Sequence, residues 1–299
     1  MVAARLPGRW ETTHHDVRSP ASAITQFAWD NAQHHDGIPA DDPHAAVLDG
    51  PDGEQLLVTP SPDRPHRFLA GALFPPGTAI WMRYRPPVAR AIAVPDDPAR
   101  AAAAVTARFL PQYDLALHQL RITAIAHAYG LGETVLASWD ALSDSLCDEQ
   151  GFPLDEEVYG LRQAQRDAQV WTQFSAFLTH GKPLLDRADA QLPDLYDHPD
   201  DAPLRQRYQY ALRQLRNAHT RGLAVRFPIP GKVAERDAEI WHEMTEWLAH
   251  TPYLLTLARQ AGPAPRIPQP SHSRARHTGR QQPAAPPPGA LPGRPHRGR

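Results

Sequence analysis

The spacing of apolar residues divides the chain into a strand-forming part and a helix-forming part. Between residues 44 and 94 the apolar positions come in short runs separated by turn residues. Ala45–Asp49 and Gln55–Thr59 flank Gly50-Pro51-Asp52-Gly53, a turn signal between two strands. Arg67–Phe74 and Thr78–Arg85 flank Pro75-Pro76-Gly77. In the latter run Ile80, Met82 and Tyr84 alternate onto one face, as a half-buried strand requires. Ala91–Val94 adds a short edge. The pattern predicts a small antiparallel sheet of four or five strands. Ahead of it, Ser19-Pro20 reads as the cap and first turn of a short helix. That helix would bury Ile24, Phe27 and Ala28 and stop near Gly37.

From Asp97 onward the apolar residues recur at helical spacing. Asp97-Pro98 opens a helix that Pro111 ends. Leu115, Ile122, Ile125 and Tyr129 form a stripe closed by Gly130, and Leu136, Trp139, Leu142 and Leu146 form another closed by Gly151. Asp155-Glu156-Glu157 places acids at a helix start, where the dipole favours them. That helix carries Val158, Leu161, Ala168, Trp171, Phe174 and Leu178, and Gly181 ends it. A loop with Asp186, Asp189, Asp194, Asp197, Asp200 and Asp201 follows. Pro203 opens a helix with Leu204, Tyr208, Leu212 and Leu215 on one side, closed by Gly222. A long helix over Lys232–His250 and a short one over Pro252–Gln260 complete the series. The expected fold class is α+β: a small N-terminal antiparallel β-sheet followed by a bundle of about six α-helices. Residues 1–18 are expected to be a disordered N-terminus, 19–96 the first helix and the sheet, 97–262 the bundle, and 263–299 a disordered tail. No repeat is visible at solenoid periods.

Charge sharpens that division. The net charge is -2, yet residues 263–299 hold seven arginines and no acid. The first 262 residues therefore hold 24 basic against 33 acidic side chains, a net -9. The tail has ten prolines and almost no large apolar residue, too little to repay its ordering entropy. Cys147 is the only cysteine, so no disulfide can form within the chain. Met1–Trp10 lacks the apolar run of a signal peptide, and no 18 apolar residues run together. These features lead to the expectation of a cytoplasmic protein without a membrane partner.

Two segments carry candidate chemistry. Residues 121–142 read Arg-Ile-Thr-Ala-Ile-Ala-His-Ala-Tyr, then Gly-Leu-Gly-Glu, then Thr-Val-Leu-Ala-Ser-Trp-Asp-Ala-Leu. This resembles the helix-turn-helix of DNA-binding regulators. The resemblance makes Ala126 the small residue of the helix crossing and Gly130 the turn. It makes Thr134–Trp139 part of a recognition helix, with Arg121, Thr134 and Ser138 as DNA-contact candidates. The second helix departs from the pattern in having no Arg or Lys and in carrying Glu133, Asp140, Asp144, Asp148 and Glu149. A structural helical hairpin satisfies the same spacing. The second segment, residues 202–230, has no acid and holds Arg205, Arg207, Arg213 and Arg216, with Tyr208 and Tyr210 interleaved. Such arginines suit phosphate and base contacts, or pair with the aspartates just before them.

Of the 16 histidines, His242 and His250 share a broad helical face with Glu239, Glu243 and Glu246. Glu239 and His242 make one Glu-x-x-His step, for which a di-iron bundle needs a second copy on a facing helix. No Gly-rich phosphate loop and no Gly-x-Ser-x-Gly elbow is present. No metal and no cofactor is expected, and the balance is against an enzyme. Three functions follow from these features. The first is a non-enzymatic regulatory protein that binds DNA through 121–142, assisted by the 203–222 helix and the tail. The second is a protein–protein interaction module without a nucleic-acid role. The third is an enzyme or metal protein using the helix around His242. If the tail is separate from the core, deleting 263–299 leaves the melting temperature of the remainder unchanged; a fall on deletion, measured by circular dichroism, would count against that division.

Overall fold

The computed structural model describes residues 2–16, 27–29, 44–51, 53–61, 67–75, 78, 81–82, 89–227 and 231–263. The fold is α+β. Five strands, β1 (Glu11–Asp16), β2 (His44–Asp49), β3 (Gln55–Pro60), β4 (Arg67–Ala72) and β5 (Ile92–Pro95), form one sheet in that order. Each neighbouring pair is antiparallel. The β2–β3 turn closes where the Gly50 N–H donates to the Glu54 carbonyl at 2.7 Å, with Gly53 at φ 78°.

Strand β1 corrects the expectation of a disordered N-terminus. Its sequence, Glu-Thr-Thr-His-His-Asp, has no apolar alternation because it is an edge strand with no buried residue. Its pairing comes from register with β2, Glu11 opposite Asp49 through Asp16 opposite His44. Ahead of it Ala3, Leu6 and Trp10 are buried. Trp81 and Met82, assigned above to a strand, lie in a short turn, with Met82 buried in the core. The helix expected over 19–37 lies outside the described residues, apart from Phe27–Trp29, and so does the tail beyond Pro263.

Among the described residues six α-helices follow: α1 (Pro98–Ala104), α2 (Leu110–Ser143), α3 (Glu156–Leu195), α4 (Ala202–Ala224), α5 (Val233–Glu239) and α6 (Trp241–Ala261). They are longer than the breaker residues suggested. Asp97 caps α1 by accepting from the Arg100 N–H at 2.8 Å. Pro111 does not stop the chain. Just ahead of it, Val105–Phe109 widen into a π-helical turn, with the Leu110 N–H bonded five residues back to the Val105 carbonyl. This absorbs the missing proline donor, and α2 continues from it. Gly130, Gly181 and Pro252 also lie inside helices. Gly181 is a packing residue, since a Cβ there would stand 2.6 Å from the Phe177 ring. Asp186, Asp189 and Asp194 accordingly lie on α3 rather than in a loop.

α2 packs on α3 and α6, α4 packs on the same two helices, and α3 and α6 pack on each other. Phe174, Phe177 and Trp247 meet at the centre, with Trp247 5.6 and 6.2 Å from the two phenyl rings. Helix α2 joins two cores. Up to Ala124 it packs with the sheet through Leu110, Tyr113 and Leu117; from Ile125 it belongs to the bundle.

Tyr113 fastens the join. Leu73 donates its N–H to the Gln55 carbonyl at 2.8 Å, but the return bond between these residues runs through the phenol. The Tyr113 hydroxyl accepts from the Gln55 N–H at 3.0 Å and donates to the Leu73 carbonyl at 3.3 Å. Burial pushes the phenol's pKa up, so it keeps the proton it donates. Tyr113→Phe keeps the ring and strands two backbone groups, which costs about 1–3 kcal/mol. Urea unfolding measures this, and a loss near zero would show that the hydroxyl ties nothing.

Candidate functional site

The most distinctive surface is the hairpin where α2 hands over to α3. The connection is built rather than frayed. A short 3-10 turn over Asp144–Leu146 leads to a bridge between Cys147 and Pro153. The Asp148 carboxylate accepts from the Gln150 N–H at 3.0 Å and the Phe152 N–H at 2.8 Å, an Asx-type turn, and Gly151 takes φ 85° beside it. Leu154 returns its N–H to the Leu146 carbonyl at 2.9 Å. Asp155 then caps α3, accepting from the Glu157 and Val158 N–H groups. These bonds hold the turn in a form that turns its apolar residues outward. Phe152, Leu154 and Leu161 are 68%, 69% and 60% exposed. Residues 122–161 hold eight acids and no Lys or Arg.

The base of this hairpin is held by buried charge. Arg166 on α3 donates through Nε and Nη2 to Asp167 Oδ1 at 2.8 and 2.6 Å. Its guanidinium lies 3.8 Å from the Trp241 ring centroid and 4.6 Å from that of Trp139. Arg236 on α5 donates to Asp237 Oδ1 in the same way and lies 3.9 Å from the Trp171 ring centroid. The two arginine side chains are only 11% and 10% exposed. Neighbouring residues on a helix do not ordinarily face each other; here each buried guanidinium lies against an indole face and turns its Nε and Nη2 to the adjacent carboxylate. Burial pushes the Asp237 carboxyl up, opposed by Arg236 and reinforced by Asp167. Composition did not point to this cluster, but the tripeptide Arg-Asp-Ala, spelled twice in the chain, does.

The helix-turn-helix reading meets a geometric correction here. Helix α2 is continuous from Leu110 to Ser143, so there is no turn at Gly130. Thr134 and Ser138 are exposed, and their hydroxyls donate back along the helix to the Gly130 and Thr134 carbonyls, each at 2.8 Å. Arg121 lies on the opposite half of α2, close enough to His118 and His180 to depress both. On α4, Arg216 reaches Asp189 at 3.1 Å and Asp186 at 3.6 Å, so the aspartates engage it. Arg205 donates to the Tyr196 carbonyl at 3.3 Å, Arg213 lies over Tyr210, and Arg207 is exposed. The face around His242 also divides. His242 and Glu239 are exposed, Glu243 is buried in an ion pair with Arg221, and Glu246 meets His250 at 3.1 Å. Among the described residues, no three His, Cys, Asp or Glu gather to hold a metal ion.

No family model matches the chain, and neither does any curated protein or any solved structure. No described helix is long and apolar enough to cross a membrane.

Three buried histidines contribute to the response to acid. His118 and His219 donate from Nε2 to the Ala258 and Leu178 carbonyls at 2.8 and 3.1 Å. Burial lowers the pKa of both. His180 is pushed down to about 4 by burial, with Arg121 adding to it. At these histidines the unfolded chain therefore binds more protons than the folded one between pH 4 and 6.5, so their contribution to stability rises with pH across that window, against the smaller opposite effect of the raised Asp237 carboxyl. His180 alone contributes about 3 kcal/mol to the rise. Denaturant titrations between these limits should show the slope, and His180→Gln should flatten it; an unchanged slope would place His180 in contact with water.

Proposed function

We propose that this protein is a non-enzymatic interaction module, and that the α2–α3 hairpin binds an arginine-rich segment of a partner protein carrying an apolar anchor. The observation that carries the reading is the built exposure of Phe152 and Leu154, held outward by the Asp148 turn. Apolar side chains displayed by a hydrogen-bonded turn and rimmed by charge mark an interaction site more than a loose loop does. The rim fixes the partner's sign. With eight acids and no Lys or Arg over 122–161, the hairpin attracts cationic chains and repels phosphate. That charge works against the DNA reading, because phosphate neutralisation supplies most non-specific nucleic-acid affinity. Guanidinium forks pair with carboxylates while aliphatic or aromatic anchors cover Phe152 and Leu154. Cytoplasmic placement belongs to the same proposal, Cys147 being an unpaired thiol.

A short synthetic peptide rich in Arg, Leu and Pro serves as the probe, with a length-matched Glu-for-Arg peptide and duplex DNA as controls. Fluorescence anisotropy should show binding of the first alone, weakened by salt. Replacing Phe152 and Leu154 together with Ala should weaken it about tenfold or more, the size of a central anchor loss. Equal binding of the acidic peptide, or tighter binding of DNA, would sink the proposal.

A further inference from the structure

The two Arg-Asp-Ala tripeptides belong to longer matching stretches. Residues 165–190 and 235–260 align without a gap, and nine of the 26 positions are identical, among them Arg166, Asp167, Trp171 and His180 against Arg236, Asp237, Trp241 and His250. The preceding helices match as well. Ala-Leu-x-Gln-Leu-Arg occurs at Ala116–Arg121 and Ala211–Arg216, and Ala-His-x-x-Gly-Leu at Ala126–Leu131 and Ala218–Leu223. The two motifs stand three residues further apart in the first case, close to one helical turn, which preserves the buried face. Phe-Pro followed by Leu or Ile then occurs at 152–154 and 227–229.

Two helices sharing a core would match in apolar spacing alone. That spacing does not require a buried Arg-Asp pair ahead of a Trp in both. Nor does it require what the structure shows, an exchange of partners. Arg166 stacks on Trp241 while Arg236 stacks on Trp171. Each first helix also sets a glycine against the other hairpin's equivalent leucine, although the two glycines are offset by two positions, Gly222 aligning with Gly130 and Gly132 with Ala224. A Cβ on Gly132 would stand 2.8 Å from Leu248, and one on Gly222 would stand 2.7 Å from Leu178. Helices α2 and α4 each pack on both α3 and α6. Reciprocal contact of this kind is the mark of an isologous two-fold interface.

We infer that residues 116–190 and 211–260 are two copies of one helical hairpin packed about an approximate two-fold axis, and that the first copy carries an additional arm. Between the Ala-His-x-x-Gly-Leu and Arg-Asp-Ala motifs the first copy has 34 intervening residues (132–165) and the second has 12 (224–235), a difference of 22. All eight acids of the hairpin fall within the longer connection. The fold needs only the short connection; the surplus is the projecting binding surface. Its binding role rests on the function proposed above, whereas the duplication does not.

Two experiments on the full chain separate these claims. In the first, residues 133–164 are replaced by the second copy's 225–234, keeping Gly132. The chimera should unfold cooperatively and lose the Arg-Leu-Pro peptide. A chimera that does not fold overturns the separable arm. One that folds and still binds the peptide upholds the arm's separability and overturns its binding role. In the second, double-mutant cycles in thermal unfolding pair Arg166→Met with Trp241→Leu and Arg236→Met with Trp171→Leu. Both exchanged pairs should couple with the same sign and similar size, and the same-copy pairs Arg166 with Trp171 and Arg236 with Trp241 should not. Coupling in one exchanged pair only, or within a copy, overturns the two-fold relation.

Discussion

The bundle depends on the contact where two buried Arg–Asp pairs exchange tryptophans between α3 and the α5–α6 segment. Buried charge is costly, and an Arg–Asp pair at one-tenth exposure recovers little from Coulomb attraction alone. Indole faces change the balance, because a desolvated guanidinium over Trp gains about 2 kcal/mol. Removing one member leaves its partner buried and unpaired, at a cost of about 3–5 kcal/mol. The arrangement therefore adds less stability than it enforces register. Only one axial and rotational setting of α3 against α5 and α6 lets both arginines find both rings. That setting also brings Trp247 against Phe174 and Phe177 and seats Leu248 over Gly132.

Helix α2 carries this register outward in both directions. Towards the N-terminus it crosses into the sheet core and is fixed there by Tyr113, whose hydroxyl replaces a ladder bond between Gln55 and Leu73. Towards the C-terminus it runs on to the Asp148 turn, with Trp139 touching both Arg166 and Tyr159 on α3. The hairpin is thus a rigid extension of the core rather than a loop attached to it. A preordered surface loses less entropy on binding than a flexible one.

Much of the fold could be read from local pattern, and the rest was hidden for separate physical reasons. Strands β2 to β5 were legible because apolar runs alternate with turn residues, and α4 because Pro203 and Gly222 bracket an apolar stripe. Breakers misled elsewhere. Gly130, Gly181 and Pro252 each carry a propensity cost of about 1–3 kcal/mol, which tertiary packing overrides. Gly181 is there because Phe177 leaves no room for a side chain. Strand β1 was hidden because a polar edge strand has no buried face to announce it. The arginines of α4 were legible as a cluster, but only the fold shows Arg216 held by Asp186 and Asp189. The duplication has no fixed period in the sequence, because 22 extra residues in the first copy shift the matching motifs.

The acids of the arm can be sorted by what they do for the fold. Asp148 organises the turn and Asp155 caps α3. Glu156 and Glu157 sit where the α3 dipole favours them, and Glu133 meets the Tyr129 phenol. Asp140, Asp144 and Glu149 remain, all exposed. Asp140 lies in the last turn of α2 and Asp144 follows that helix directly, where the dipole opposes a carboxylate. Folding alone would favour Lys or Arg at these two positions. Acids placed against the local field beside outward-facing Phe152 and Leu154 fit the cationic partner proposed above. They also lessen self-association by keeping an apolar tip from meeting its own copies, since like charges repel. Both effects act in the same direction, favouring a cationic partner over a second copy of the arm.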